Sequence, residues 1–341
     1  MDYSVIVPAY NAAATIGYCL AALYAQTLPR DRYEIIVVDD GSTDPTAAIA
    51  AAAGVQVVRQ PNQGPAAARN NGVASALGDI VFFTDADCAP APTWLANMAN
   101  PFSDSSIAGC KGVYRTRQRG LAPRFAQIEY EERYDHMSQI RYIDFVDTYS
   151  AAYRRNVLID NHGFDTSFPG DSSGEDQELS FRLSSLGYKM VFVPSAIVYH
   201  LHPPTVAAYY RRKYKTGYWK AFVLRLHPEK AVRDTHTPGT LKIQIGLVSL
   251  SLPFVLLGAG LGVFSLGLIA MLAALLVSFA PFMFKAWRRD RVVALAAPAL
   301  LVVRAMALGC GLLAGMWDGL RQRGRLMARL PGARQTESKR G

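Results

Sequence analysis

Apolar residues in the first hundred positions come in short runs, each closed by turn-forming residues. "YSVIVPAY", "YEIIVVDDGS", "VQVVRQ" and "DIVFFTDAD" are β-branched or aromatic runs of strand length. "AATIGYCLAALYAQ" has helical spacing instead, with Ile16, Leu20 and Leu23 on one side, and the Ala-rich "PAAARNNGVASAL" predicts another helix. Four apolar strands alternating with three helices predict a parallel sheet covered on both faces. Right-handed crossovers put the strand C-termini on one edge, where open α/β sheets bind ligands. Pro8–Asn11, Asp39–Ser42 and Asp85–Asp87 all fall on that edge. A less regular stretch, "RFAQIEYEERYDHM", leads to "GEDQELSFRLSSLGYKMVFVP", a predicted helix followed by a strand. Up to about His202 the chain reads as one domain.

The pattern then changes. Ile243 to Phe284 is a run of 42 residues without a charge, long enough for two transmembrane helices. "GAGLG", Gly258–Gly262, suits a tight turn between them. Lys285, Arg288, Arg289 and Arg291 follow, returned by two spans to the side of the N-terminal domain, as the positive-inside rule requires. A third apolar stretch, Val292–Trp317, carries Pro298 and Arg304 near its middle. A span there would cost about 2.5–3.5 kcal/mol for the central Arg and would export the basic tail. A re-entrant or interfacial helical pair is therefore expected, with a third span as the alternative. Upstream, Tyr210, Tyr214, Tyr218 and Phe222 recur every four residues among Lys and Arg. Such an amphipathic helix next to a span is expected in the headgroup layer. The division is thus an α/β domain over 1–202, an interfacial segment over 203–240, and two spans over 241–284. A basic loop plus third hydrophobic segment follows over 285–320, and a basic, disordered tail over 321–341.

Composition sharpens this picture. Half the residues are apolar and 18% are charged, with a formal net charge of +9. Seven Lys/Arg lie in Arg211–Lys230 and seven in Arg321–Gly341. Next to apolar spans, such runs point to anionic lipid and away from nucleic acid. Arg211 and Arg212 are accordingly assigned to lipid phosphate in preference to a substrate diphosphate. Cys19, Cys88, Cys110 and Cys310 have no metal-binding spacing and read as reduced, buried residues. The N-terminus lacks a basic lead and a long apolar core, so a multi-pass protein of the inner or plasma membrane with a cytoplasmic catalytic domain is expected.

"TDADC" raises the question of chemistry. Side chains two apart in an extended segment point the same way, so Asp85 and Asp87 could share a divalent metal, Mn²⁺ or Mg²⁺. "VIVPAYNAAATI", "IIVVDDGSTD", "NQGPAAARNNGVASALGDIVFFTDAD" and "GEDQELSFRL" together resemble the successive motifs of family 2 glycosyltransferases over about residues 3–220. The resemblance implies an α/β GT-A (Rossmann-like) domain, here followed by interfacial helices and a C-terminal transmembrane helical region, and an inverting mechanism. It implies that Pro8, Ala9, Tyr10 and Asn11 border the nucleobase and that Asp39 or Asp40 holds it. Asn62, Gly64 and Arg69 would line the nucleotide and diphosphate. Asp85 would face the sugar or ribose, Asp87 the metal, and His200 the metal or diphosphate, with His202 a second candidate. Asp176 would be the general base, with Glu175 beside it and Glu178 near the acceptor.

Inverting transfer needs a carboxylate to take the acceptor hydroxyl's proton and a cation to stabilise the leaving diphosphate. The expected partners are a nucleotide-sugar donor (a UDP-sugar favoured by the resemblance), a lipid-linked or glycan acceptor, and membrane lipids. Transfer to polyprenyl phosphate and a non-catalytic nucleotide-sugar-binding scaffold are the alternatives. "TGYWK" lacks the Gln and Arg of a QxxRW run, which argues against processive polymer synthesis.

Overall fold

The protein is described from a computed structural model covering residues 2–168, 174–231, 234–257 and 262–321. Four strands begin the chain: β1 (Tyr3–Ala9), β2 (Tyr33–Asp39), β3 (Gln56–Arg59) and β4 (Ile80–Phe83). They pair in parallel in the order β3-β2-β1-β4. Their connecting helices are α1 (Ile16–Tyr24), α2 (Thr46–Ala52) and α3 (Pro65–Ser75). Every residue of β2 is buried, as a strand covered on both faces requires. The expected Ile16, Leu20 and Leu23 face of α1 is buried with Cys19 in one core, and Ile6, Ile36, Val81 and Phe83 pack into a second core on the opposite face.

The sheet is then extended in mixed fashion by β5 (Ala89–Pro90), β6 (Ile107–Arg115), β7 (Ala151–Arg154) and β8 (Lys189–Tyr199), in the overall order β3-β2-β1-β4-β7-β6-β8-β5. β7 runs antiparallel between β4 and β6, while β6 and β8 are parallel. Helices α4 (Trp94–Ala99), α5 (Leu121–Met137), α6 (Arg155–Asp160) and α7 (Glu175–Ser185) complete the domain. The register aligns Ala9 with Asp39 and Asp39 with Arg59, so the turns after these strands open on one edge.

Beyond β8 come α8 (Val206–Leu226), α9 (Gly239–Leu257), α10 (Gly262–Arg289) and α11 (Arg291–Arg321). Most of the predicted "GAGLG" turn lies outside the described residues. Where a helical pair was expected after Lys285, one helix runs unbroken from Arg291 to Arg321 through Pro298. Gly267–Arg289 and Arg291–Arg321 are each long and apolar enough to cross a membrane. The tyrosine stripe of α8 also departs from expectation. The backbone at Tyr214 and Tyr218 lies directly against Gly311 and Gly315, so that face is covered by α11 and not by headgroups. Three of the cysteines are buried, but Cys310, on α11, is exposed.

Candidate active site

The first turn, after β1, is shaped by Asn11, which takes a left-handed conformation (φ 49°). Its N–H donates to Ser42 Oγ (2.9 Å) and its Oδ1 accepts from the Thr43 N–H (2.8 Å), tying the β1 turn to the β2 turn. Ala9 is buried beside them, while the Tyr10 ring is half exposed. The two aspartates after β2 divide the work. Asp40 accepts from Gln60 Nε2 (2.7 Å) and from the N–H groups of Gln63 (2.8 Å) and Gly64 (2.9 Å), so its carboxylate is committed to the loop before α3. Asp39 has only a longer bond from the Ser42 N–H (3.3 Å) and Arg59 at 3.8 Å, and is the less committed of the pair. Gly41 (φ 75°) lies so close to this loop that a Cβ there would sit 2.7 Å from the Asn62 nitrogen.

After β4 the chain does not stay extended. The Cys88 N–H donates to the Asp85 carbonyl (3.0 Å), which makes Asp85–Cys88 a turn and sends the two carboxylates to different partners. That corrects the expectation that their side chains point together. Asp85 faces Arg69 Nη2 (3.5 Å), whose Nη1 bonds Glu175 (3.0 Å) at the start of α7; the guanidinium also lies over the Phe164 ring. Arg69 and Glu175 are both buried, so this bridge joins the β4 edge to the helix that carries Asp176.

Asp87 instead faces His200, which follows β8, with Nε2 3.6 Å from Oδ2. Ligand atoms of Asp87, Cys88 and His200 lie within 4.8 Å of one another. His200 Nδ1 is buried without a partner, and burial, then the nearby Arg212 charge, lowers the ring's pKa to about 4. A neutral imidazole beside a half-exposed carboxylate suits a divalent cation that also takes phosphate oxygens. The Cys88 thiol, held protonated by burial, is a poor third ligand. Asp87 and His200 are therefore the residues that fit a metal. His202 lies beside the His200 ring but is engaged elsewhere: its Nε2 meets Gln127 Oε1 (3.2 Å) and its ring stacks on Tyr130.

Asp176 is half-buried, and its pKa is raised well above the usual carboxylate range, first by desolvation, then by Glu175 and Asp147. Its Oδ1 accepts from the Gln177 N–H (2.9 Å). Glu178 is not brought to this cluster; Arg182 holds both its oxygens, at 2.8 and 2.9 Å. Two features escaped the sequence reading. Asp147, near the Asp176 carboxyl, is paired with the fully buried Lys111 of β6. Arg212 of α8, assigned from sequence to lipid, stands among Tyr130, Tyr114, Asp87 and Asp85, whose charges raise its pKa. Neither has a fixed spacing from the strand-end motifs, so only its place on the sheet or on α8 could have flagged it.

Residues 4–161 match the profile of Glycosyl transferase family 2. Glycosyltransferase AglE of Haloferax volcanii is 29% identical over 208 residues, covering 58% of this chain and 66% of its own. Pre-mycofactocin glycosyltransferase of Mycobacterium tuberculosis is 28% identical over 271 residues, covering 76% of this chain and 54% of its own. The chain thus spans between about half and two thirds of the length of these relatives. Among solved structures, the mannosyltransferase PcManGT from Pyrobaculum calidifontis, in complex with GDP-Man and Mn²⁺, aligns with TM-score 0.59 and 22% identity over 93% of this chain and 87% of that one. At that identity the likeness establishes the fold, a GT-A type α/β sheet.

Proposed function

Because the chain belongs to glycosyltransferase family 2 through its N-terminal domain, we propose that it moves a sugar from a nucleoside-diphosphate donor to a hydroxyl of a lipid-linked or glycan acceptor, with inversion, at the cytosolic membrane face. The observation that carries this reading is the pair of carboxylate sites on one edge: Asp87 with His200, and Asp176 with Glu175, joined through Asp85 and Arg69. The nucleobase lies along Pro8–Asn11 and Asp39, with Asn62, Gly64 and the start of α3 beside the diphosphate. A uridine nucleotide is favoured by the family resemblance alone. Asp87 and His200 hold Mn²⁺ or Mg²⁺, which when bound neutralises charge developing on the leaving diphosphate. Asp176 takes the acceptor hydroxyl's proton as the new bond forms at the anomeric carbon and the bond to the diphosphate breaks. Glu175 and Arg69 hold the first turn of α7 so that the base faces the acceptor hydroxyl. Helices α9 and α10 anchor the domain in the bilayer.

The test is donor hydrolysis and transfer by the purified full-length chain with a panel of UDP- and GDP-sugars, in Mn²⁺, Mg²⁺ or EDTA. One donor is expected to release its nucleotide in a metal-dependent way, lost in Asp87→Ala. Nucleotide-sugar binding that persists in EDTA, with no turnover for any donor and acceptor extract, would overturn the reading in favour of a scaffold.

A further inference from the structure

By length and composition α11 passes as a membrane span, yet its packing describes something else. It is 31 residues long, about 46 Å, against a hydrocarbon core of about 30 Å. Its first turn is tied to the catalytic domain, with Arg124 of α5 bonding Asp290 just before it (2.6 Å). Midway, Arg304 is buried, bonds Gln244 (2.7 Å) and faces Glu132 of α5 (3.6 Å). Beyond that point α11 lies alongside α8 in the same direction. Gly217 meets Leu308, Gly311 meets Tyr214, Gly315 meets Tyr218 and Gly319 meets Arg225, and Tyr218 Oη donates to Asp318 (2.9 Å). These glycines let the two backbones approach closely.

The consequence follows from charge. α8 carries Arg211, Arg212, Lys213, Lys215, Lys220 and Arg225 along its whole length. Lys213 is fixed to Glu129 of the catalytic domain (2.7 Å). A helix charged from end to end does not cross hydrocarbon. The half of α11 that runs parallel to it therefore stays at the same depth. The exposure of α11 agrees: Leu295, Met306, Cys310, Leu313, Trp317 and Leu320 are exposed at helical spacing on one face, while Val293, Ala297, Leu301, Leu308 and Gly315 are buried on the other. A span between lipids on several sides would show no such single stripe.

We propose that α11 is an in-plane helix that seats this apolar stripe in the upper layer of an anionic bilayer, with the α5–α8 side of the molecule resting on it. The occupant is lipid and not a protein partner, because the stripe continues into the exposed face of α10 (Leu276, Phe284, Trp287). Arginines also flank it at both ends, Arg291 against the Trp287 ring and Arg321 against Trp317. Trp–Arg pairs could mark either one surface or two; the parallel course beside α8 assigns them to one. The inference deepens the membrane reading above and leaves the chemistry aside.

Depth measurement tests it. A nitroxide is attached to native Cys310, the one exposed cysteine among the described residues, and to Leu295→Cys, Met306→Cys, Leu313→Cys and Leu320→Cys in a Cys310→Ser background. Full-length protein is reconstituted in phosphatidylcholine–phosphatidylglycerol vesicles, and collisions with oxygen and with a nickel chelate report depth. All five labels are expected about 5–10 Å below the headgroup boundary, with no trend along the helix. A span would carry Leu295 to Leu320 through about 37 Å, with Met306 and Cys310 near the bilayer centre, and that profile would overturn the proposal. Labels equally open to the nickel chelate with and without lipid would overturn it too, in favour of a protein-covered face. Donor hydrolysis on the same vesicles shows separately whether the proposed activity stands.

Discussion

Glu175 and Asp176 are adjacent carboxylates in different surroundings. Glu175 is buried and bonded to Arg69, so its charge has a partner; Asp176 is half-buried and feels the Arg69 charge only as a smaller, opposing influence. Burial, then Glu175 and then Asp147, raise the Asp176 pKa. As the proposed base, Asp176 must be ionised to accept a proton, so transfer should fail as pH falls through that raised value, well above the ordinary carboxylate range. Glu175→Gln removes a neighbouring negative charge and frees the Arg69 charge. Both effects lower the Asp176 pKa, so the acid limb of the kcat/KM profile is expected to shift to lower pH. An unmoved limb would assign the proton transfer elsewhere. Asp176→Asn is expected to cost about 10²–10⁴-fold in kcat with donor affinity retained. The stability sign is opposite: a carboxyl whose folded pKa is raised loses stability as pH rises from its unfolded value through the folded one. Asp176→Asn should therefore melt higher than wild type at neutral pH, as scanning calorimetry would show.

Among the elements, β1–β4 could be read from the chain because each is a short apolar run ended by Pro, Gly, Asn or Asp, and those endings are also the site. β6 and β7 could not. β6 carries Lys111 and Arg115 and two glycines, and it is a strand because of its neighbours: a Cβ at Gly109 would meet the Tyr153 ring of β7 at 2.7 Å. Asp85, Asp87 and Asp176 were legible for the same reason as the strands, since each follows a strand or opens a helix. Arg212 and the Asp147–Lys111 pair arrive from distant elements. Hydropathy likewise reports how apolar α11 is but not what covers it. The α8–α11 seam makes the point testable. A methyl at Gly311 would run into the Tyr214 carbonyl, a backbone atom that cannot swing aside, whereas one at Gly246 of α9 has nothing within 4 Å. Gly311→Ala is expected to destabilise by about 1–3 kcal/mol or more. Gly246→Ala should be neutral or stabilise by up to about 1 kcal/mol through helix propensity. Melting of both variants in one detergent compares them directly; equal melting temperatures would mean the seam is not formed.

For the molecule as a whole, the question is how a soluble-type domain and apolar helices become one body, and the polar contacts around α5 give the answer. Glu129 accepts from Lys213 (2.7 Å) and Tyr209 (2.6 Å) of α8 and pairs with Arg133; Asp135 pairs with Lys285 of α10; Glu132 faces Arg304 of α11. One helix of the catalytic domain thus supplies the counter-charges for three C-terminal helices. Arg304, which looked costly from the sequence, is expensive only if its surroundings are lipid. In a lipid setting, Arg304→Met would remove a buried charge and raise the melting temperature. Between α5, α9 and α10 it instead leaves Glu132 without its counter-charge and the Gln244 carbonyl without its donor, a loss of about 3–5 kcal/mol for a broken buried pair. Arg304→Met is therefore expected to melt lower than wild type. Adding Glu132→Leu should recover most of the loss, since apolar residues of similar volume replace a buried ion pair at little cost. The coupling between the two sites, read from a double-mutant cycle of melting curves in detergent, separates the cases. Strong coupling means that α11 is welded to the catalytic domain at mid-length. Independent effects would place Arg304 in contact with something other than α5.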